Sequence, residues 1–178
     1  MNNNLEQATL AGGCFWCTEA VFQRLKGVRK VTSGYSGGTA SNAYYEAVCT
    51  GQTDHAEAIQ IEYDPSMVPF EIILKVHLTT HNPTTLNRQG ADTGPQYRSA
   101  IFYHNAKQLK TAQAVIADLQ ADLNTPIVTT LEPYTAFYEA ETNHQNFYNE
   151  NPDSRYCQLV TLPKVKKFKE EWRAYVKD

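Results

Sequence analysis

The chain has 178 residues, of which 42% are apolar and 20% charged, enough for one well-packed domain of ordinary globular composition. A net charge of −3 gives no electrostatic case for nucleic acid or an anionic membrane surface as a partner. No stretch approaches the roughly 18 to 20 apolar residues of a spanning helix, and residues 1–7 are polar where a signal peptide would be apolar, so a cytoplasmic location is expected.

A strand is expected over residues 7–11, ending at Gly12-Gly13, with a helix over 15–25 behind it. Cys14 then falls where the strand hands over to a helix N-terminus. The partial positive charge and unpaired N–H groups there favour a thiolate. Phe15 and Trp16 follow directly, an aromatic wall suited to a small, partly apolar group. Residues 28–34 read as a second strand, followed by a Gly- and Ser-rich loop over 35–42. Residues 56–63 alternate, with Ala58, Gln60 and Glu62 set against Ile59, Ile61 and Tyr63, and Asp64-Pro65 ends that strand. Pro69 suits the first turn of a helix bearing Phe70, Ile73, Leu74 and His77 on one side.

Residues 82–96 hold two prolines and two glycines without periodicity and read as a long loop. A strand is expected over 98–103. Asn105 caps a helix whose Leu109, Ala112, Ile116, Leu119 and Leu123 recur at helical spacing. A fifth strand is expected over 127–131 and a short helix over 141–148. Pro163 opens a last helix with Val165, Phe168, Trp172 and Tyr175 inward. The first six elements run strand, helix, strand, strand, helix, strand. This order predicts an α+β fold, a ferredoxin-like two-layer sandwich with C-terminal elaborations, as a single domain over residues 1–178.

Four cysteines are too few for a disulfide scaffold, so redox or metal roles come first. Zinc calls for paired ligand units, and only Cys14 to Cys17 forms one; Cys49 and Cys157 stand alone. Glu57 is in phase with Ile59, Ile61 and Tyr63. If that set is buried, its carboxyl is desolvated, its pKa raised, and it can donate a proton near neutrality. The alternative is an edge carboxylate turned to solvent, and pattern alone leaves the two even. Tyr45 and Tyr97 can each donate a phenolic hydrogen bond, and Asp92 can orient a neighbour or make an Asx turn. His55 and His81 read as structural hydrogen-bonders, and Cys49 as a small buried hydrophobe.

These segments together resemble the A-type peptide methionine sulfoxide reductases. The resemblance rests on Gly13-Cys14-Phe15-Trp16, Ser33-Gly34-Tyr35 with Gly37-Gly38, the run from Tyr45 to Gly51, and His55-Ala56-Glu57-Ala58. Tyr63-Asp64-Pro65, the run from Pro83 to Gly90 and that from Asp92 to Ser99 complete it. It implies that the Cys14 thiolate attacks the sulfur of a methionine S-sulfoxide, free or in oxidised proteins and peptides. Glu57 would protonate the oxygen, Tyr45 and Tyr97 hold it, Phe15 and Trp16 cage the methyl group, and Asp92 organise the site. Methionine leaves a sulfenic acid on Cys14. Cys157, in an Asn-Pro…Tyr-Cys context, resembles the family's resolving cysteine. Cys17, where many members have Gly, is the alternative, since a Cys-x-x-Cys pair can close a disulfide. The resemblance implies thioredoxin as reductant and no cofactor, and a monomer is expected. The competing readings are a thiol–disulfide oxidoreductase needing Cys17 but not Glu57, and a redox-sensing or zinc-holding module.

Overall fold

The computed structural model describes residues 4–178, so residues 1–3 of the polar N-terminal stretch lie outside it. Strand β1 (Glu6–Ala11) leads through Gly12-Gly13 into helix α1 (Phe15–Phe22), and then β2 (Val28–Ser36), the short α2 (Tyr45–Cys49) and β3 (Ala56–Tyr63) follow. Helix α3 (Phe70–Thr80) precedes a two-residue hairpin, β4 (Arg88–Gln89) with β5 (Asp92–Thr93). Beyond it come β6 (Ala100–Tyr103), α4 (Ala106–Gln120), β7 (Thr130–Pro133), β8 (Phe137–Glu139), the one-turn α5 (Phe147–Glu150) and α6 (Leu162–Glu171). Among the described residues no helix is long and apolar enough to cross a membrane.

Six strands form one sheet in the order β7-β6-β1-β3-β2-β8. β3 lies antiparallel to both β1 and β2, β6 runs antiparallel to β1, and only the β6–β7 pair is parallel. The fold is therefore mixed α+β. β3 is central: Ala56 to Ile59 are buried on both faces, and exposure alternates only beyond them, where Gln60 and Glu62 are partly exposed between buried Ile59, Ile61 and Tyr63. Glu57, Ile59, Ile61 and Tyr63 face the helices, where Leu10, Phe15, Phe22, Ile73, Leu74, Ile101 and Phe168 complete the main core. Ala56 and Ala58 face the other way, against Ala11, Ala100 and Phe102, with Tyr134 and Phe137 closing over that small-residue face.

Most elements stand where the sequence predicts them, and the differences have physical causes. α1 stops at Phe22, short of residue 25, because Lys26 N–H turns to the carbonyl of Tyr175 and Gly27 (φ 90) reverses the chain. The expected strand over 127–131 lies at Thr130–Pro133, where its parallel register with Ala100–Tyr103 sets it. The expected helix over 141–148 breaks at Asn146 (φ 57) into a 3₁₀ turn and α5. Asn105 does cap α4, its side chain accepting the Gln108 N–H at 2.8 Å, but the helix ends at Gln120 and Leu123 is exposed.

Candidate active site

The Gly12-Gly13 turn sets the position of Cys14. Gly13 has φ 83, and a Cβ there would come within 2.8 Å of Gln89 Cγ; a Cβ on Gly12 would meet the His81 ring at 2.9 Å. No side chain fits either place, so the strand can turn sharply and leave Cys14 as the N-cap of α1. The first free N–H of that helix, on Phe15, donates to Oε1 of Glu57 at 3.1 Å. Glu57 is 2% exposed. Burial, opposed in part by the Phe15 bond, pushes its pKa up to about 8. The carboxyl is inward, and it is protonated at neutral pH.

Cys14 departs from the sequence expectation. It does cap the helix, but burial, and after it the nearby Glu57 and Cys17, raise its pKa well above the usual thiol value. The backbone N–H of Trp16 and the hydroxyl of Tyr156 pull the other way without prevailing. A helix terminus stabilises an anion modestly, and desolvation of a buried thiolate outweighs it here. The resting site holds a neutral thiol beside a neutral acid.

A cavity of about 150 Å³ opens on these two groups, lined by Cys14, Phe15, Trp16, Tyr45, Glu57, Asp92, Tyr97 and Tyr156. Seven of the eight are residues singled out in the sequence. Phe15 is fully buried and packs on Tyr35 with ring centroids 5.7 Å apart, whereas Trp16 is half-buried. Tyr97 is fixed through its backbone, its carbonyl accepting the Gly13 N–H at 3.2 Å. Tyr45 sits at the start of α2, its N–H held by Glu141 at 2.8 Å. Its phenol is raised by a hydrogen bond to Cys49 and by burial; that of Tyr97 is raised by burial and the neighbouring Glu57 and Asp92. Both stay protonated and remain donors.

Tyr156, the eighth, was not legible in the sequence. Its hydroxyl donates to Asp92 Oδ2 at 2.7 Å, across 64 positions of chain, and burial raises its phenol further. Asp92 is therefore a hydrogen-bond acceptor for a pocket tyrosine, beyond any local turn role. His144 was also missed: its Nδ1 accepts the Trp16 Nε1–H at 3.2 Å, and its ring lies 4.3 Å from that of Tyr45.

The remaining candidates lie outside the pocket wall. Cys17 is buried, its sulfur 3.2 Å from Thr161 Oγ1 and 3.9 Å from the Tyr156 hydroxyl. Cys157 is fully buried at the start of a π-helical turn, Cys157–Thr161, and all four thiols are free. Cys49 is exposed, against expectation, because α2 turns Val48 inward and Cys49 outward. His55 accepts the Gly38 N–H at Nδ1 and bonds the Thr39 carbonyl at Nε2, while His81 bonds Ser99 at 2.7 Å.

The family described as peptide methionine sulfoxide reductase matches residues 6–176. A relative named peptide methionine sulfoxide reductase MsrA 1, from Rhodopirellula baltica, is 58% identical over 163 residues, 92% of this chain and 85% of its own. One named MsrA from Nitratiruptor is 52% identical over 96% of this chain and 98% of its own. Among solved structures, Mxr1 from Saccharomyces cerevisiae in reduced form is similar with a TM-score of 0.79 at 32% identity, covering 88% of this chain and 95% of that one. On this evidence the chain belongs to the peptide methionine sulfoxide reductase family.

Proposed function

We propose that the protein reduces methionine S-sulfoxide, free or within oxidised proteins and peptides, to methionine. The observation that carries this reading is the buried, protonated Glu57 lining the same small cavity as Cys14. A sulfoxide sulfur resists attack until its oxygen is protonated or strongly hydrogen-bonded, and Glu57, Tyr45 and Tyr97 supply donors at one place.

In the proposed step the Cys14 sulfur attacks the sulfoxide sulfur while Glu57 gives its proton to the oxygen. The oxygen passes to Cys14 as a sulfenic acid, methionine leaves, and the proton lost by the thiol returns to Glu57. Thiol plus sulfoxide thus become sulfenic acid plus sulfide, with no external acid consumed. Phe15 and Trp16 receive the methyl group, and the Tyr156–Asp92 pair lines the wall beside the Cys14 sulfur. With the methyl on one side and the oxygen donors on the other, one configuration at sulfur faces the thiol.

Resolution of the sulfenic acid falls to Cys157, with thioredoxin reducing the resulting disulfide. The family context of Cys157 supports this, as does its place directly behind the pocket residue Tyr156. A ferredoxin-like core within one domain over residues 1–178 is supported by the strand order β6-β1-β3-β2, with α1 and α3 as the crossovers. A cytoplasmic monomer without cofactor, nucleic-acid or membrane partner completes the reading. Turnover of the two separated methionine sulfoxide epimers with dithiothreitol tests it: the S epimer should be consumed, and comparable turnover of the R epimer would overturn it.

A further inference from the structure

Helix α1 carries a second row of side chains beside the nucleophile. Trp16, Glu19 and Gln23 lie three and four residues apart and so share one face. All three engage the segment 144–149. Trp16 bonds His144, and its ring lies face to face on Phe147 with centroids 3.7 Å apart and planes 7° from parallel. Glu19 accepts the Asn146 N–H at 2.9 Å with one carboxylate oxygen and the Phe147 N–H at 3.3 Å with the other. Gln23 donates to the Asn146 side chain at 3.0 Å.

Glu19 is 2% exposed, and a buried carboxylate is costly unless hydrogen bonds offset its desolvation. The Ser33 side chain offsets part of that cost, and the two main partners are the backbone N–H groups at the start of α5, a helix of four residues entered through left-handed Asn146. One helical turn and a left-handed asparagine do not hold themselves in place. The carboxylate supplies what local propensity cannot.

We infer that Glu19 is a positioning residue for the methyl cage: by clamping Asn146 and Phe147 it holds the Phe147 ring against Trp16 and fixes the indole that lines the pocket. The inference deepens the reductase reading and rests on it, since Glu19 lines no part of the cavity itself. Trp16 is half-buried, so an indole without its Phe147 neighbour gains freedom to turn. Cys14, Glu57 and the two phenols keep their places in that case. Chemistry survives, and what weakens is discrimination by size at the methyl position. A rigid apolar pocket separates groups differing by one methylene by roughly 10- to 200-fold.

The test uses the full chain with Trp172→Phe, which leaves Trp16 as the one reporter of indole fluorescence. In that background, acrylamide quenching is measured alongside kcat/KM for the S-sulfoxides of methionine and ethionine, with dithiothreitol as reductant. Glu19→Gln keeps the size but offers one acceptor oxygen where two are used. It should move Trp16 emission to longer wavelength, raise its quenching, and cut the preference for methionine over ethionine sulfoxide by about fivefold or more. KM for methionine sulfoxide should change more than kcat. Unchanged quenching and an unchanged preference ratio would overturn the inference. If Glu19→Gln does not fold by circular dichroism, Phe147→Leu decides on the same two readouts, because it removes the stacked ring alone. If the unsubstituted enzyme reduces neither epimer, the reductase reading fails, while the quenching comparison still decides whether Glu19 holds Trp16.

Discussion

The backbone N–H of Phe15 ends on Oε1 of Glu57, 3.1 Å away, tying the first turn of α1 to the central strand of the sheet. The bond points Glu57 at the base of the pocket and occupies one of its two oxygens. The Cys14 thiol is the carboxyl's second hydrogen-bonding neighbour, so acid and nucleophile already touch in the resting site. Glu57→Gln retains an acceptor for Phe15 but has no proton to give, so release of methionine in a single turnover should slow by roughly 10² to 10⁴. The unsubstituted rate should fall as pH rises through about 8, where the acid form is depleted, and the variant should lack that limb. Rapid-quench measurement of methionine released per enzyme checks both, and equal rates would remove Glu57 from the chemistry.

The same substitution should stabilise the fold at alkaline pH. Folded Glu57 titrates near 8 and a free glutamate near 4.5, so the unfolded chain surrenders this proton first. The contribution to stability is fully present below about 4.5 and is lost as pH rises through 8, at a cost on the order of a few kcal/mol. Urea unfolding at a series of pH values should show Glu57→Gln gaining on the parent protein between pH 5 and 8. A gap independent of pH would mean that Glu57 ionises as readily folded as unfolded.

Resolution is tested by paired cysteine variants. Cys157→Ser should still release one methionine per enzyme without reductant, because attack by Cys14 comes first. It should then stall with thioredoxin, which needs a disulfide, and run with dithiothreitol, which attacks a sulfenic acid directly. Cys17→Ser should keep its thioredoxin-linked rate. The reverse pattern, together with peptide mapping that joins Cys14 to Cys17 in the oxidised protein, would make the Cys-x-x-Cys pair the working couple.

Acid should unfold the protein through two histidines behind the Gly12-Gly13 turn. Burial lowers His77 to about 4 and His81 well below its ordinary value. Because these folded values are depressed, their contribution to stability is present above about 6.5 and is lost as pH falls toward 4, about 3 kcal/mol from His77 alone. His77→Phe, beside the Phe22 ring, should shift the acid-unfolding midpoint followed by circular dichroism to lower pH. No shift would show that His77 is not among the groups that acid must protonate.

What could be read from the sequence follows the range of the interactions concerned. β3 and α4 announce themselves because alternation and helical spacing act within a few residues. Cys14 at a strand-to-helix junction is local too, and so is the phase of Glu57 along its strand. α2 and β8 were not foreseen: five and three residues carry no period, and β8 exists through its register with Gly34–Ser36, about a hundred positions earlier. Tyr156, His144 and Glu19 were missed for the same reason, since their partners Asp92, Trp16 and Asn146 are 64 to 128 positions away. At Cys14 the helix terminus is visible in sequence, whereas the depth of burial that raises the thiol's pKa is not.

The ends of the sheet carry a last consequence. The outermost strands are β7, four residues closing at Pro133, and β8, three residues long. Each offers too little free backbone to recruit a foreign strand, and Pro133 brings no N–H to its edge. Oxidation damages the proteins that such an enzyme serves, and damaged chains expose segments in search of an edge to join. Borders this short limit the pairing of such segments with the enzyme's own sheet.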